Sequence, residues 1–164
     1  SYDGCVGLKT GSTSLAKYCV SAVASRNNIT LISVVMAAPD YKVRFKDAAA
    51  MLNYGFSKCS LFTDENPEKL PQIEVQKGTK PTTEVKYEKT FQYLSTDGKT
   101  IGEVERKLNL ETQVQAPVKK GETAGTLEYY RDGQKLGEIN ILFTETIEKA
   151  TYKNCLEKII TEAF

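Results

Sequence analysis

The sequence contains no histidine among its 164 residues. That absence excludes a Ser-His-Asp triad within the chain, a histidine general base and the commonest protein ligand of zinc. Long apolar runs are also missing, since none reaches the roughly 18 residues that a membrane-spanning helix needs. Because 22 Lys and Arg stand against 21 Asp and Glu, the net charge of +1 gives no electrostatic footprint for a nucleic acid.

Cysteine is scarce and scattered, and no Cys-x-x-Cys pair occurs. The four cysteines are Cys5, Cys19, Cys59 and Cys155. A chain of this length can build a hydrophobic core without covalent links. Free or buried thiols are therefore favoured over disulfides, which stay open as the alternative.

No basic-then-apolar signal peptide opens the chain, which taken alone indicates a cytosolic protein. The first four residues, however, form a turn signal that leads directly into a strand, as an interior cut would. An export signal could therefore lie upstream of Ser1.

The first 61 residues predict three strands followed by a helix. Residues 18–24 and 29–36 form two strands, and the asparagines of the intervening 25–28 tolerate the left-handed backbone of a hairpin turn. The second strand is almost continuously apolar, which is typical of burial on both faces. Apolar residues at helical spacing then predict a helix over residues 41–56, with Gly55 near its end.

From about Phe62 the pattern becomes all-β. Short strand-like runs alternate with turn signals such as Asp97-Gly98, Lys120-Gly121 and Asp132-Gly133, and this pattern predicts a small sandwich over residues 62–147. Residues 148–164 return to helical spacing, with Tyr152, Cys155, Leu156, Ile159 and Ile160 on one side. The polar face of this predicted helix has no excess of basic residues. Packing of the helix on the β-domain or on another copy of the chain is therefore favoured over a role as a membrane anchor.

The net charge differs on the two sides of the predicted boundary between the strand-and-helix module and the all-β region. Residues 1–60 carry seven Lys or Arg and three Asp, a net charge of +4, whereas the remainder carries a net charge of −3. A cationic first module favours an anionic ligand such as a carboxylate, with a merely solvated surface as the alternative.

The most informative motif is Lys9-Thr10-Gly11, which follows an apolar residue and precedes the hydroxyl pair Ser12-Thr13. Alternation along a strand puts Lys9 and Gly11 on one side and Thr10 on the other, unless a bulge changes the direction. Gly11, which has no side chain, lets a ligand approach the backbone closely.

A resemblance rests on this motif and its flanks. The residues that carry it are Tyr2 to Thr13, Ala16, Tyr18-Cys19, Leu31 to Met36, Arg44, Leu52 to Phe56, Ala116 to Glu122, Gly125 to Leu127 and Asp132-Gly133. In this order they resemble the serine-type D-alanyl-D-alanine carboxypeptidases, the low-molecular-mass penicillin-binding proteins. The implied fold is α+β: the C-terminal part of the catalytic α/β domain in residues 1–61, followed by an all-β domain in 62–147 and a helical tail in 148–164.

The resemblance also implies roles for six residues. Lys9 would supply positive charge near the nucleophile, and Thr10 and Thr13 would offer hydroxyls to the terminal carboxylate of D-alanine. Gly11 would line the substrate strand, and the Ser12 N–H would form part of an oxyanion hole. Arg44 matches a family arginine near the substrate carboxylate; from the residues alone it is equally well a solvated arginine at a helix start.

Two further matches in the sequence are interpreted as accidental. Ser14-Leu15-Ala16-Lys17 fits Ser-x-x-K, and Ser25-Arg26-Asn27 fits Ser-x-Asn, the other two elements of such active sites. Both follow the Lys-Thr-Gly strand, which reverses the family order. No nucleophile is therefore expected in this chain, and we predict that it is inactive alone. Lys17 and Leu15 also depart from the family's usual residues, so the loop that leaves the strand at Thr13 is expected to be arranged differently from the family's.

The implied parent enzyme removes the terminal D-alanine of peptidoglycan stem peptides through an acyl-serine intermediate, outside the cytoplasm, and binds β-lactams. No cofactor or metal is expected. The alternative is a non-catalytic binding or spacer module of the cell envelope, because the β-domain shows no clustered acid, base or metal set. An exposed apolar face on residues 1–60 predicts self-association.

Overall fold

The computed structural model describes residues 2–65, 67–152 and 154. These residues form two compact units, Ser1–Phe62 with Tyr93–Ile101, and Thr63–Gln92 with Gly102–Phe164. The elements in chain order are β1 Cys5–Thr13, β2 Lys17–Arg26, β3 Ile29–Ala38, α1 Val43–Lys58, β4 Ser60–Thr63, β5 Ile73–Gln76, β6 Thr82–Thr83, β7 Val85–Tyr87, β8 Gln92–Ser95, β9 Glu105–Leu110, β10 Gln113–Gln115, β11 Thr123–Arg131 and β12 Gln134–Phe143.

The first unit contains the antiparallel sheet β1-β2-β3. The predicted hairpin between β2 and β3 is confirmed, because Arg26 pairs with Ile29 and the two residues between them, Asn27 and Asn28, have φ of 49° and 62°. Two consecutive positive φ angles match the twist of the flanking strands, and asparagine tolerates them better than most residues. β4 and β8 form a separate two-stranded sheet.

Helix α1 begins two residues later than the spacing predicts, because Asp40 organises its start. The Asp40 carboxylate accepts hydrogen bonds from the backbone N–H groups of Lys42 and Val43, at 2.7 and 3.0 Å, which satisfies donors that the helix itself leaves unpaired. The helix then packs Ala48 and Leu52 against three buried residues of β2, Val20, Ala22 and Ala24. α1 is too short to cross a bilayer, and the described residues contain no other helix that could.

β3 is buried on one face only, which corrects the expectation of burial on both. Leu31 and Val35 pack against the α1 core. On the opposite face Ile32, Val34 and Met36 are 68%, 56% and 76% exposed. The reason is that α1 covers one side of the sheet, and no described element of this unit covers the other.

The second unit is all-β over its described strands, as the sequence predicts, but its bounds differ from the predicted 62–147, because residues 93–101 belong to the first unit. A four-stranded sheet, β7-β12-β11-β9, and a three-stranded sheet, β10-β5-β6, make up its framework. Their shared core consists of buried apolar side chains, namely Ile73, Val75, Val118, Phe143 and Ile147. β11 and β12 are joined by Asp132-Gly133, both with positive φ, so the Asp-Gly signal correctly marks a hairpin.

The helix predicted from Glu148 is wrong for its first three residues. Lys149 forms a β-bridge with Gly78, the Thr79 N–H donates to the Glu148 carbonyl and the Ala150 N–H donates to the Lys77 carbonyl. Backbone pairing with the neighbouring segment therefore overrides the helical spacing there. Most of the predicted helix, residues 155–164 with Cys155, lies outside the described part of the chain.

Candidate functional site

The Lys9-Thr10-Gly11 motif lies in the middle of β1, at the edge of the first sheet. β1 pairs with β2 on one side, and on its other side the described residues supply no strand partner. An unpaired strand edge presents backbone N–H and C=O groups that an extended peptide can use for additional pairing. Beside Gly11, no atom lies within 4 Å of the position that a Cβ would occupy, so the backbone is open there.

Cross-strand pairing fixes the direction of each motif residue. Thr10 lies opposite the buried Val20, and therefore on the α1 face of the sheet. Lys9 lies opposite Ser21 and Gly11 opposite Cys19, on the other face. The Lys9 ammonium group donates to the carbonyl of the next residue, Thr10, at 3.1 Å.

Arg44, from the start of α1, reaches the same strand from 32 residues away. Its Nη1 donates to the Ser12 hydroxyl at 3.2 Å and to the carbonyls of Cys19 and Gly11 at 3.4 and 3.5 Å. The half-buried side chain thus pairs with no acid of the described residues and is bound to the edge strand and its neighbour. The structure brings Arg44, Gly11 and Ser12 together.

Thr13 is placed differently from the other predicted residues. Its hydroxyl oxygen accepts a hydrogen bond from the Ala16 N–H at 2.9 Å and so helps to close the turn between β1 and β2. In this turn Lys17 has a φ of 52°. A polar hollow of about 420 Å³ opens at the same end of the hairpin, lined by Ser12, Thr13, Ser14, Lys17 and Tyr18.

The two accidental motif matches occupy turns and strand ends. Ser14 lies in the exposed β1–β2 turn, whereas a Ser-x-x-K nucleophile sits at the start of a helix. Ser25 lies near the end of β2, where its hydroxyl accepts a hydrogen bond from Thr30 at 3.2 Å across the hairpin. Neither serine faces the Lys-Thr-Gly strand across a cleft.

Electrostatically the site is cationic and unneutralised. Within the described chain neither Lys9 nor Arg44 forms an ion pair with a carboxylate. The first 60 residues carry an excess of four positive charges, so a ligand with a carboxylate would meet cations that no acid of this unit neutralises.

The second unit, by contrast, contains a buried carboxylate that is paired with an arginine. Asp64, only 3% exposed, accepts two hydrogen bonds from the Arg106 guanidinium at 3.0 and 2.7 Å and one from the Tyr129 hydroxyl at 2.9 Å. The bond to Asp64 raises the pKa of Arg106, while burial and the same carboxylate raise the pKa of Tyr129. Phe91 stacks on the Tyr129 ring at 3.8 Å. Over the described residues, no group of three potential metal ligands converges.

Sequence reasoning missed three residues that the structure connects to charged groups. Tyr18 and Phe45 hold their rings against the Arg44 guanidinium, and Asp64 organises the buried network of the second unit. Tyr18 carries a signal in retrospect, because it lies directly opposite Ser12 in the β1–β2 ladder. Asp64 follows a short strand without any distinguishing pattern.

Comparison with known proteins places the chain in a family. Residues 58–149 match the family described as "Penicillin-binding protein 5, C-terminal domain". The chain is 29% identical over 158 residues to D-alanyl-D-alanine carboxypeptidase DacF of Bacillus subtilis, covering 96% of this chain and 41% of that protein. It is 33% identical over 148 residues to D-alanyl-D-alanine carboxypeptidase DacA of Haemophilus influenzae, covering 88% and 37%.

A solved structure agrees with both matches. Penicillin-binding protein 5 from Haemophilus influenzae superposes with a TM-score of 0.62 at 29% identity, over 86% of this chain and 42% of that one. The present chain therefore spans about two fifths of the length of the relatives that it matches.

Proposed function

Because this chain belongs to the D-alanyl-D-alanine carboxypeptidases of the penicillin-binding protein 5 type, of which it carries the C-terminal domain, we propose that it supplies one wall of their substrate site. The parent enzyme would remove the terminal D-alanine from peptidoglycan stem pentapeptides. One observation carries the proposal: Arg44 is bound to the edge strand of the Lys-Thr-Gly motif, beside an open glycine.

In this proposal the stem peptide adds to the free edge of β1 as an extra strand, so that main-chain hydrogen bonds supply affinity. The absence of a side chain at Gly11 lets the peptide approach closely. Its terminal carboxylate binds near Arg44, because a guanidinium offers paired donors that match the geometry of a carboxylate. Thr10 and Thr13 contribute hydroxyl groups to the same end of the peptide.

The chemical step would use two groups of this wall. The backbone N–H of Ser12 would donate to the oxyanion of the tetrahedral intermediate, and Lys9 would place positive charge close to the reacting serine. Attack by that serine releases D-alanine and forms an acyl-enzyme, which water then hydrolyses. The nucleophile and its lysine base would lie outside this sequence.

We expect the isolated chain to be inactive for that reason. Incubation with a fluorescent penicillin, followed by denaturing electrophoresis, should leave it unlabelled, whereas a complete carboxypeptidase labels covalently. A label that maps to any serine of this chain would contradict this part of the proposal. The parent would act outside the cytoplasm, where peptidoglycan is found, and would bind β-lactams through the same strand.

Binding by the wall itself is tested by titrating the ¹⁵N-labelled chain with acetyl-D-alanyl-D-alanine. The proposal expects amide shifts in the Lys9–Thr13 segment, reduced in Arg44→Gln. The control is Arg26→Gln, which removes an arginine at the other end of the same sheet.

The alternative, a non-catalytic spacer, applies best to the second unit. There Asp64 is paired with Arg106 and Glu128 with Lys135, which favours a structural role for this unit. A spacer role for the whole chain predicts no shifts in β1 during the same titration, and that result would favour it over the substrate wall.

A further inference from the structure

The geometry around Arg44 assigns a function to two aromatic residues that carry no role so far. We infer that Tyr18 and Phe45 are positioning residues, which hold the Arg44 guanidinium in a fixed orientation and leave one of its nitrogens available to a carboxylate. The inference rests on the proposed function, because the carboxylate is that of the bound peptide.

Both rings lie within cation–π distance of Arg44. The Cζ atom of Arg44 is 4.8 Å from the centre of the Phe45 ring and 5.6 Å from that of Tyr18, inside the roughly 6 Å at which such contacts are attractive. The rings belong to different elements, Phe45 to α1 and Tyr18 to β2. Together they restrain a side chain that would otherwise sample many rotamers.

The nitrogens of Arg44 have distinct surroundings. Nη1 donates to Ser12, Cys19 and Gly11. Nε is buried without a hydrogen-bond partner among the described residues. No acceptor therefore directs Nε, and the orientation depends on Nη1 and the two rings. Within the described chain Nη2 donates no hydrogen bond, so it is the nitrogen left to a ligand.

Arg26, at the opposite end of the sheet, also lies against two aromatic rings, but its guanidinium is already bound to a residue of the chain. Its Cζ lies 4.6 Å from the Tyr2 ring centre and 4.9 Å from that of Phe56. Here, however, Nε and Nη2 both donate to the Asp3 carbonyl, at 3.1 and 2.9 Å, and the Asp3 carboxylate is 3.4 Å away. Arg26 is thus satisfied within the chain, whereas Arg44 has its rings but no acid.

The test compares Tyr18→Leu with Tyr18→Phe in the full chain. Two quantities are measured by NMR: the rotation rate of the Arg44 guanidinium about its Nε–Cζ bond, and the affinity for acetyl-D-alanyl-D-alanine relative to its C-terminal amide. Loss of the ring should speed the rotation and lower the acid-to-amide preference by roughly two- to fivefold, the size of a partly exposed cation–π contact. Tyr18→Phe should retain both properties, because it keeps the ring.

A second variant and two controls separate positioning from stability. Phe45→Leu removes the other, exposed ring, should have the same two effects, and replaces Tyr18→Leu if that variant folds poorly. Tyr2→Leu removes the equivalent ring from Arg26 and should leave the acid-to-amide preference unchanged. In an Arg44→Gln background, Tyr18→Leu should cause no further loss of that preference, because it acts only through the guanidinium.

The two measurements distinguish failure of the positioning role from failure of the proposed carboxylate role of Arg44. If Tyr18→Leu leaves the Arg44 rotation rate unchanged, or speeds it without altering the acid-to-amide preference, the positioning role is overturned while the substrate wall stands. If the unmodified chain binds the acid no better than the amide, the proposed carboxylate role of Arg44 fails, and the positioning role falls with it.

Discussion

Arg44 in the first unit and Arg106 in the second show two ways of holding a guanidinium. Arg106 makes a two-point contact with the buried Asp64, which also accepts the Tyr129 hydroxyl. Arg44 contacts two carbonyls, one hydroxyl and two rings, but no carboxylate of the described chain. The same side chain is internally neutralised in one unit and left positively charged in the other.

This difference separates a structural use of charge from a binding use. A buried, fully bonded ion pair fixes the packing of its own unit and has little left to offer a ligand. A restrained cation without an acid retains its attraction for an external anion. The net charges, +4 over residues 1–60 and −3 over the remainder, divide in the same direction.

Replacing each arginine by methionine should give the largest difference between the two units in the loss of unfolding free energy. Arg106→Met leaves the carboxylate of Asp64 buried without its cation, and we expect a loss of about 3 kcal/mol, the low end for a broken buried pair, since the Arg106 side chain is 37% exposed. Arg44→Met should cost about 1 kcal/mol, because it removes only hydrogen bonds to neutral acceptors and contacts with the two rings.

Amide hydrogen exchange measures the two effects separately, in β11 for the second unit and in β2 for the first. Asp64→Asn is the matched partner of Arg106→Met and should destabilise the same strands. Equal losses of protection for Arg44→Met and Arg106→Met would remove the distinction between the two arginines.

Removing the Tyr129 hydroxyl tests how much its hydrogen bond to Asp64 stabilises the second unit. Tyr129→Phe keeps the ring that stacks on Phe91 and deletes only the hydroxyl that donates to Asp64. We expect a loss of about 2 kcal/mol, typical of a hydrogen bond to a charged group. Thermal unfolding followed by circular dichroism measures it, with Tyr130→Phe as the control, since that hydroxyl donates to the partly exposed Glu128. A smaller loss than in the control would mean that Arg106 alone satisfies Asp64.

Local sequence signals predicted much of this fold. The Asn27-Asn28 and Asp132-Gly133 turns formed hairpins because each depends on backbone preferences of two adjacent residues. Helix α1 followed from apolar spacing, although it begins and ends two residues later than predicted; the Asp40 side chain accounts for the later start. The Lys-Thr-Gly strand could likewise be located. A three-residue motif is too short to be identified by itself, but here many flanking residues carry the same resemblance.

Long-range side-chain contacts could not be predicted in this way. Asp64 meets Tyr129 across 65 residues and Arg106 across 42, and no periodicity encodes such a pairing. The position of Tyr18 beside Arg44 depends on where α1 crosses the sheet. The extended course of residues 148–150 is set by pairing with residues 77–79, which helical spacing cannot anticipate.

The exposed apolar face of β3 offers a third contrast, since Ile73, Ile141 and Ile147 of the second unit are buried. Ile32, Val34 and Met36 should drive self-association of the isolated chain. Val34→Lys places a charge at the centre of this face and should weaken association roughly tenfold, or about 1.4 kcal/mol. Sedimentation velocity over a concentration series measures the change. Thr30→Lys, at the exposed end of the same face, is the control, and a monomer at high concentration in the unmodified chain would contradict the prediction.

The smallest expected effect concerns charge on the surface of the second unit. Lys135 donates to Glu128 at 2.6 Å and to Glu138 at 2.7 Å, and chiefly the bond from Lys135 lowers the pKa of Glu128 to about 2. A lowered carboxyl pKa stabilises the folded state above the ordinary value of 4.5, and this contribution is lost as the pH falls from 4.5 towards 2. A carboxyl ¹³C titration of Glu128 should therefore show a midpoint near 2, and Lys135→Met should move it upward. A midpoint near 4.5 in the unmodified chain would mean that this pair is broken in solution, and the contrast between the units would then rest on Arg106, which pairs with the buried Asp64, and Arg44, which pairs with no acid of the described chain.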